Sequence, residues 1–319
     1  MSRCIVTIAV GKDYYLKLAE NLLRSFHLWN WENDIEFLLV TDNAAFFAEY
    51  EDLPKITIKN ISLDAADKSF TSKFKLFDNI TADENIFVDC DCLIYKDLSF
   101  AFDLFKGKNF SAIGNTITSG NFFGDVKTML EKFDIPAMPK FVGCLYYFKN
   151  NTVAKSIFDK ASELKKEYDD LGFLRLMGKE NEEPLLAISM AIHKETLVPN
   201  NGEVKVDMMY YEQVRSNVLN GYVKATGPIT EITGNEHIPD EASPAILHFN
   251  DVFADEYLYQ SDLYRLDHAG YKGPMLESMV WLRYTAPEQF KKSVKSVLRP
   301  AYRYFLGHRK VRVSKRLDQ

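Results

Sequence analysis

The most constraining feature is the rhythm of the first sixty residues. Arg3 to Val10 reads as a fully buried strand that stops at Gly11. From about Tyr14 to Trp29, the apolar residues Leu16, Ala19, Leu22, Leu23 and Phe26 recur at three- and four-residue steps, which marks an amphipathic helix. Ile35 to Thr41 is a second buried strand closed by Asp42-Asn43; a short helix near Ala44–Tyr50 and a third strand, Ile56 to Ile61, follow. Strands with so little polar alternation, separated by helices, predict a mostly parallel sheet covered on both faces.

Asn85-Ile86-Phe87-Val88-Asp89-Cys90-Asp91-Cys92-Leu93 then adds a strand ending in two carboxylates one residue apart. On extended backbone Asp89 and Asp91 share a face. Paired oxygen donors suit Mg²⁺ or Mn²⁺, which take carboxylates together with substrate phosphates. The plainer alternative is that the pair only marks a strand turning in water. Ligands in open α/β sheets sit beyond the carboxyl ends of the strands. Gly11-Lys12-Asp13, Asp42-Asn43 and Asp89-Cys90-Asp91 all fall at such ends and point to one crevice.

Between these, Ser69 to Asn79 predicts a helix presenting Lys73 and Lys75. Phe110 to Gly114 predicts a strand. Asn115 to Lys140 predicts a long, lid-like loop around a short helix near Asp125–Phe133. Phe141 to Phe148 is a strand and Thr152 to Tyr168 an amphipathic helix. Asn181-Glu182-Glu183-Pro184 has the cap, early acids and early proline of a helix start, here running to about His193. Glu182 and Glu183 are therefore either helix-dipole acids or site residues. Short strands are expected around Thr196–Val198, Val204–Met208 and Ile246–Phe249. His248 follows the last of these, and imidazole is a reasonable third ligand for Mn²⁺.

Composition narrows the class. The 319 residues are 46% hydrophobic, enough for a large core. The four cysteines (4, 90, 92, 144) make no C-x-x-C pair and read as buried free thiols of a reducing compartment. No cleavable leader or membrane-length apolar run is evident, so a cytoplasmic protein is expected. The charge is uneven: from Gln289 onward ten Lys/Arg stand against Asp318, a net +9, while the preceding chain carries 29 basic and 44 acidic residues. Phe290, Val294, Val297, Leu298, Ala301, Tyr302 and Phe305 form an apolar stripe beside Lys291, Lys295, Arg299 and Arg303. We expect Pro300 to kink or break this segment. Such a tail suits the inner, anionic face of the cell membrane; no motif supports nucleic acid as its partner.

The order strand-Gly-Lys-Asp, Val-Thr-Asp-Asn, Lys-Phe-Lys-Leu-Phe-Asp and Phe-Val-Asp-Cys-Asp resembles the GT-A fold of nucleotide-sugar glycosyltransferases. The match continues through Phe141–Phe148, Asn181–Ala187 and Leu247-His248-Phe249-Asn250, most nearly to glycosyltransferase family 8. The resemblance covers roughly residues 3–255 and implies transfer of a hexose, from a UDP-sugar and with retention, to a glycan or lipid-linked acceptor; with the charge pattern of the tail, a GT-A domain is expected over 1–285 and a basic amphipathic segment over 286–319. It places Asp89, Asp91 and His248 on the ion, with Lys73 near the donor's phosphates or sugar. Val10, Gly11, Asp42 and the Asp89-Cys90-Asp91 backbone fall near the nucleotide, and Glu182 or Glu183 beside the anomeric carbon. The family's sugar-binding Asn is Val142 here, its Asp/Gln at the helix start is Glu, and the late His lacks the usual Gly-x-x-Lys-Pro-Trp. The alternatives are a haloacid-dehalogenase-type phosphatase, a sugar nucleotidyltransferase without its Gly-rich basic loop, and a non-catalytic nucleotide- or glycan-binding protein.

Overall fold

A computed structural model describes residues 1–64, 69–229, 238–250, 253–254, 256–271, 273–306 and 317–318. In chain order the first strands are β1 (Arg3–Ala9), β2 (Ile35–Thr41), β3 (Ile56–Asn60), β4 (Glu84–Val88), β5 (Cys92–Ile94), β6 (Phe110–Ile117) and β7 (Met138–Lys149). Six of them form the central sheet in the order β3-β2-β1-β4-β7-β6. The first four run parallel, β7 runs against them, and β6, antiparallel to β7, resumes their direction.

The two-residue period of β1 divides the core. Ile5 and Ala9 join the layer that contains the Asp13–Asn30 helix, while Cys4, Val6 and Ile8 join the opposite layer with Phe87, Tyr146 and Phe148. That second layer is aromatic: Phe87 stacks on Tyr146 at 4.7 Å, and Phe158 of the Thr152–Lys165 helix meets Phe148 edge-on at 5.1 Å. The Glu182–Ile192 helix is buried nearly all round, as its apolar sequence requires.

After β8 (Arg175–Leu176) come β9 (Lys205–Asp207), β10 (Tyr211–Asn217), β11 (Tyr222–Pro228), β12 (Glu241–Ala242) and β13 (Ile246–His248). Strands β5, β13 and β9 make a small sheet beside the first, and β10-β11-β12 a third. Neither β10 and β11 nor the helix Tyr257–Asp267 is evident from the sequence pattern. One buried carboxylate joins these late elements: Asp262 accepts from Tyr95 Oη at 2.8 Å, Val218 N at 3.0 Å, Arg265 Nη1 at 2.9 Å and Ser216 Oγ. Removing one partner of a buried ion pair costs about 3–5 kcal/mol. Asp262→Ala is expected to lose about that much stability, read as a lower denaturant midpoint at constant slope.

Three sequence expectations are corrected. The strand after Asn109 extends to Ile117 and pairs Asn115–Ile117 with Met138–Lys140 past a bulge, so the connection is shorter than a lid over 115–140. Thr196–Val198 is no strand; Val198 makes only an isolated bridge to Ile113. Finally, Ala286–Leu306 is one helix that runs through Pro300. Proline deletes a single amide donor, and the backbone of this solvent-facing helix absorbs that loss. It continues directly from Pro274–Val280 and a π-turn at Trp281–Thr285. Five of the tail bases, 309, 310, 312, 315 and 316, lie outside the described residues.

Candidate functional site

The aspartates sit where the chain leaves one sheet for another. β4 ends at Val88, and Asp89 to Asp91 form a turn closed by Cys92 N donating to Asp89 O at 3.1 Å. The expected extended geometry, with both carboxylates on one face, does not occur. The turn is needed to carry the chain from β4 into β5, and Asp89 Oδ1 supports it by accepting from Cys90 N at 3.0 Å. The two carboxylates are consequently sent to different partners.

Asp89 Oδ2 takes Lys73 Nζ at 2.8 Å, and the same ammonium reaches Glu182 Oε1 at 2.6 Å and Gly143 O at 3.2 Å. Lys73 lies in the 3-10 helix Phe70–Asn79, 5 % exposed, with Nζ 5.0 Å above the Phe87 ring. Lys75, by contrast, faces solvent. Burial alone would lower the Lys73 pKa, but Asp89 and Glu182 hold it well above the ordinary lysine range. Lys73 is thus a clamp between two acids. Gly143 permits this arrangement, since a Cβ there would come within 2.5 Å of Glu182 Oε1.

Asp91 pairs with His248, whose Nε2 is 3.1 Å from Asp91 Oδ1. His248 Nδ1 meets Asp207 Oδ1 at 2.5 Å, and Asp207 Oδ2 accepts from Lys205 Nζ at 2.6 Å. Burial opposes charge on the imidazole, but Asp91 and Asp207 raise its pKa well above the ordinary histidine value. Burial likewise works against Asp207, yet Lys205 and His248 hold it well below the carboxylate range. Asp207 and Lys205 were not singled out from the sequence; the only signal was an acid ending a short apolar strand. Asp91, Cys92 and His248 bring one ligand atom each within 4.8 Å of one another; the Asp91 carboxylate and His248 imidazole are donors that suit Mn²⁺, and the Cys92 thiol is a softer one. Asp89 stands outside that set.

Of the remaining expected residues, Gly11 N lies 3.2 Å from both Asp42 carboxylate oxygens, which joins two of the strand-end turns. Gly11 has φ 91°, open to glycine. Val10 is half-buried and Cys90 is buried. Asn181 caps its helix by accepting from Glu183 N at 3.1 Å. Glu183 Oε1 accepts from Gly143 N at 2.7 Å, while burial and the neighbouring Glu182 push its pKa to about 8. A carboxyl with a raised folded pKa contributes stability that is complete below its ordinary value of 4.5 and lost as pH rises through about 8. Between about pH 4.5 and about pH 8, Glu183→Gln should therefore lose less melting temperature than the native chain. Beside this cluster, Ile113, Val142, Tyr210, Asn115, Lys205 and Asp207 are among the walls of a cavity of about 300 Å³.

The bifunctional glycosyltransferase WbbM shares this architecture: 12% identity, TM-score 0.51, 78% of this chain and 46% of that one. The chain has a glycosyltransferase fold. Its sheet, with parallel strands β3-β2-β1-β4 and β7 antiparallel between β4 and β6, is the mixed, mostly parallel GT-A arrangement expected from the sequence. Further similar structures are the glycosyltransferase GlyE of Streptococcus pneumoniae TIGR4 (15% identity, TM-score 0.43, 63% of this chain) and the galactosyltransferase LgtC solved with donor and acceptor sugar analogs (16%, 0.48, 77% of this chain and 86% of that). The chain spans 45% of the GlyE chain, a little under half its length. No protein-family model matches the sequence, and no curated protein matches it.

Proposed function

We propose that the protein is a metal-dependent glycosyltransferase that moves a hexose from a nucleotide-sugar donor, a UDP-hexose by family resemblance, to a glycan or lipid-linked acceptor with retention. The observation that carries this reading is the convergence of Asp91 with His248, and of Asp89 with Lys73 and Glu182, at the carboxyl end of β4 within a glycosyltransferase fold. Asp91 and His248 would hold the ion, with Asp89 on the neighbouring turn. Mn²⁺ or Mg²⁺ bound there supplies a Lewis acid for the departing diphosphate.

The chain's own groups supply the rest. Lys73 fixes the direction of Asp89 and Glu182, and Asp207 fixes the ring of His248 by accepting at Nδ1. Glu182 is tied to Lys73 and nearly closed to solvent, so it serves as a positioning acid. Glu183, half-buried and favoured in its protonated form at neutral pH, is suited to orienting a sugar hydroxyl rather than to attack. The Gly11–Asp42 turn offers a place for the nucleoside.

UDP release from a panel of nucleotide sugars, with and without Mn²⁺, tests the reading. Manganese-dependent release from one donor supports it. Phosphate release without donor preference favours the phosphatase alternative, and tight nucleotide binding without turnover favours a binding protein. The Ala286–Leu306 helix exposes Phe290, Val297 and Tyr304 beside Lys291, Lys295 and Arg299. No helix among the described residues is long and apolar enough to cross a membrane, so this one is read as lying on an anionic surface. Deleting Gln289 onward should abolish binding to anionic liposomes and spare donor hydrolysis.

A further inference from the structure

A second set of donors surrounds His248 on the side away from Asp91. His248 occupies the middle strand of β5-β13-β9, where the register sets Cys92 opposite it on one neighbour and Asp207 opposite it on the other. Residues opposed across a ladder project to the same face, so a thiol, an imidazole and a carboxylate converge. The main sheet adds Cys144 from β7. Its Sγ lies 3.6 Å from Asp207 Oδ1, and the ligand atoms of Cys144, Asp207 and His248 are all within 4.8 Å of one another. Cys92, level with His248 on β5, brings its own ligand atom within 4.8 Å of those of His248 and Asp91.

All four side chains are buried, and none is in a disulfide. Asp207 keeps Lys205 on Oδ2 and turns Oδ1 toward the cluster. Asp207 and Lys205 also line the cavity of about 300 Å³, which gives an ion a way in.

We infer that Cys144, Asp207 and His248 form a binding site for a thiophilic divalent ion of the Zn²⁺ class, with the Cys92 thiol level with the ring on β5. Zinc takes four ligands of the thiolate, imidazole and carboxylate types, whereas Mg²⁺ prefers oxygen alone. On binding, the ligating thiol and Nδ1 of His248, which otherwise donates to Asp207, each release a proton to solvent and the donors give their lone pairs to the ion; no electron is transferred. His248 faces Asp91 through Nε2 and this cluster through Nδ1. Zinc here competes with the transferase ion for the same ring, and zinc binds such sites more tightly than manganese does.

The inference goes beyond sugar transfer and stands without it, so its test is spectroscopic. The metal-stripped, reduced chain is titrated with Co²⁺. One equivalent is expected to give the visible bands of a tetrahedral site and a thiolate charge-transfer band, both lost on adding Zn²⁺. The double variant Cys92→Ser, Cys144→Ser, its fold checked by circular dichroism, should lose the charge-transfer band. Weak octahedral bands without thiolate absorption in the native chain would overturn the inference. So would a charge-transfer band that survives in the folded double variant. The native-chain arm decides the matter even if the variant does not fold.

Discussion

Lys73→Met is expected to destabilise the protein by about 3–5 kcal/mol, because it strands two acids, of which Glu182 is nearly closed to water and Asp89 partly so. The lysine is 5 % exposed and bonds Asp89 and Glu182 together. Methionine fills the same volume and keeps contact with the Phe87 ring, so packing loss is small and the effect isolates the charge. The pH dependence follows from sign. A lysine with a raised folded pKa contributes stability that is complete below its ordinary value of 10.5 and lost only above it, so the deficit is full at neutral pH. Acidification should shrink the difference between variant and native chain, because protonation of the acids removes the unpaired charge. Urea melts across a pH series measure this; a deficit independent of pH would mean that Lys73 acts through packing.

Asp91→Asn is expected to lower donor turnover by roughly a thousandfold, on the basis that a metal site contributes several kcal/mol at about 1.4 kcal/mol per tenfold. Asn keeps the shape and removes the charge that faces His248 Nε2. Asp207→Asn should cost less, about 10- to 100-fold, because it acts only through the orientation of the ring. Excess Mn²⁺ should partly restore the Asp207 variant, whose ligands are intact, and leave the Asp91 variant inactive. Equal rescue of both would remove Asp91 from the ion's ligands.

How much could be read from the residues depended on whether a signal was local. β1, β2, the Asp13–Asn30 helix and the Glu182 helix start each carry their own period or cap, and each stands within a residue or two of its expected place. The turn at Asp89–Asp91 was misread as extended because the reason to turn lies in β13 and β9, more than a hundred residues later. Lys205 and Asp207 were missed for a related reason: a three-residue strand is too short to show a period. His248 stood out by its position after an apolar strand, yet nothing near it in the chain announced Asp207 as its partner. The third sheet went unread because β10 alternates weakly and β12 is two residues long.

The three-residue strand β13 has a final consequence. It is pinned between β5 and β9 with His248 level with Cys92 and Asp207. Adding one residue to the Ser243–Ala245 approach would slide that short segment by a single step and reverse its two sides. Leu247 would then look into the ion site and the imidazole into the hydrophobic interior, with hardly any alteration in the molecule's outline. The length of a linker that touches no substrate therefore decides which way the chemistry faces.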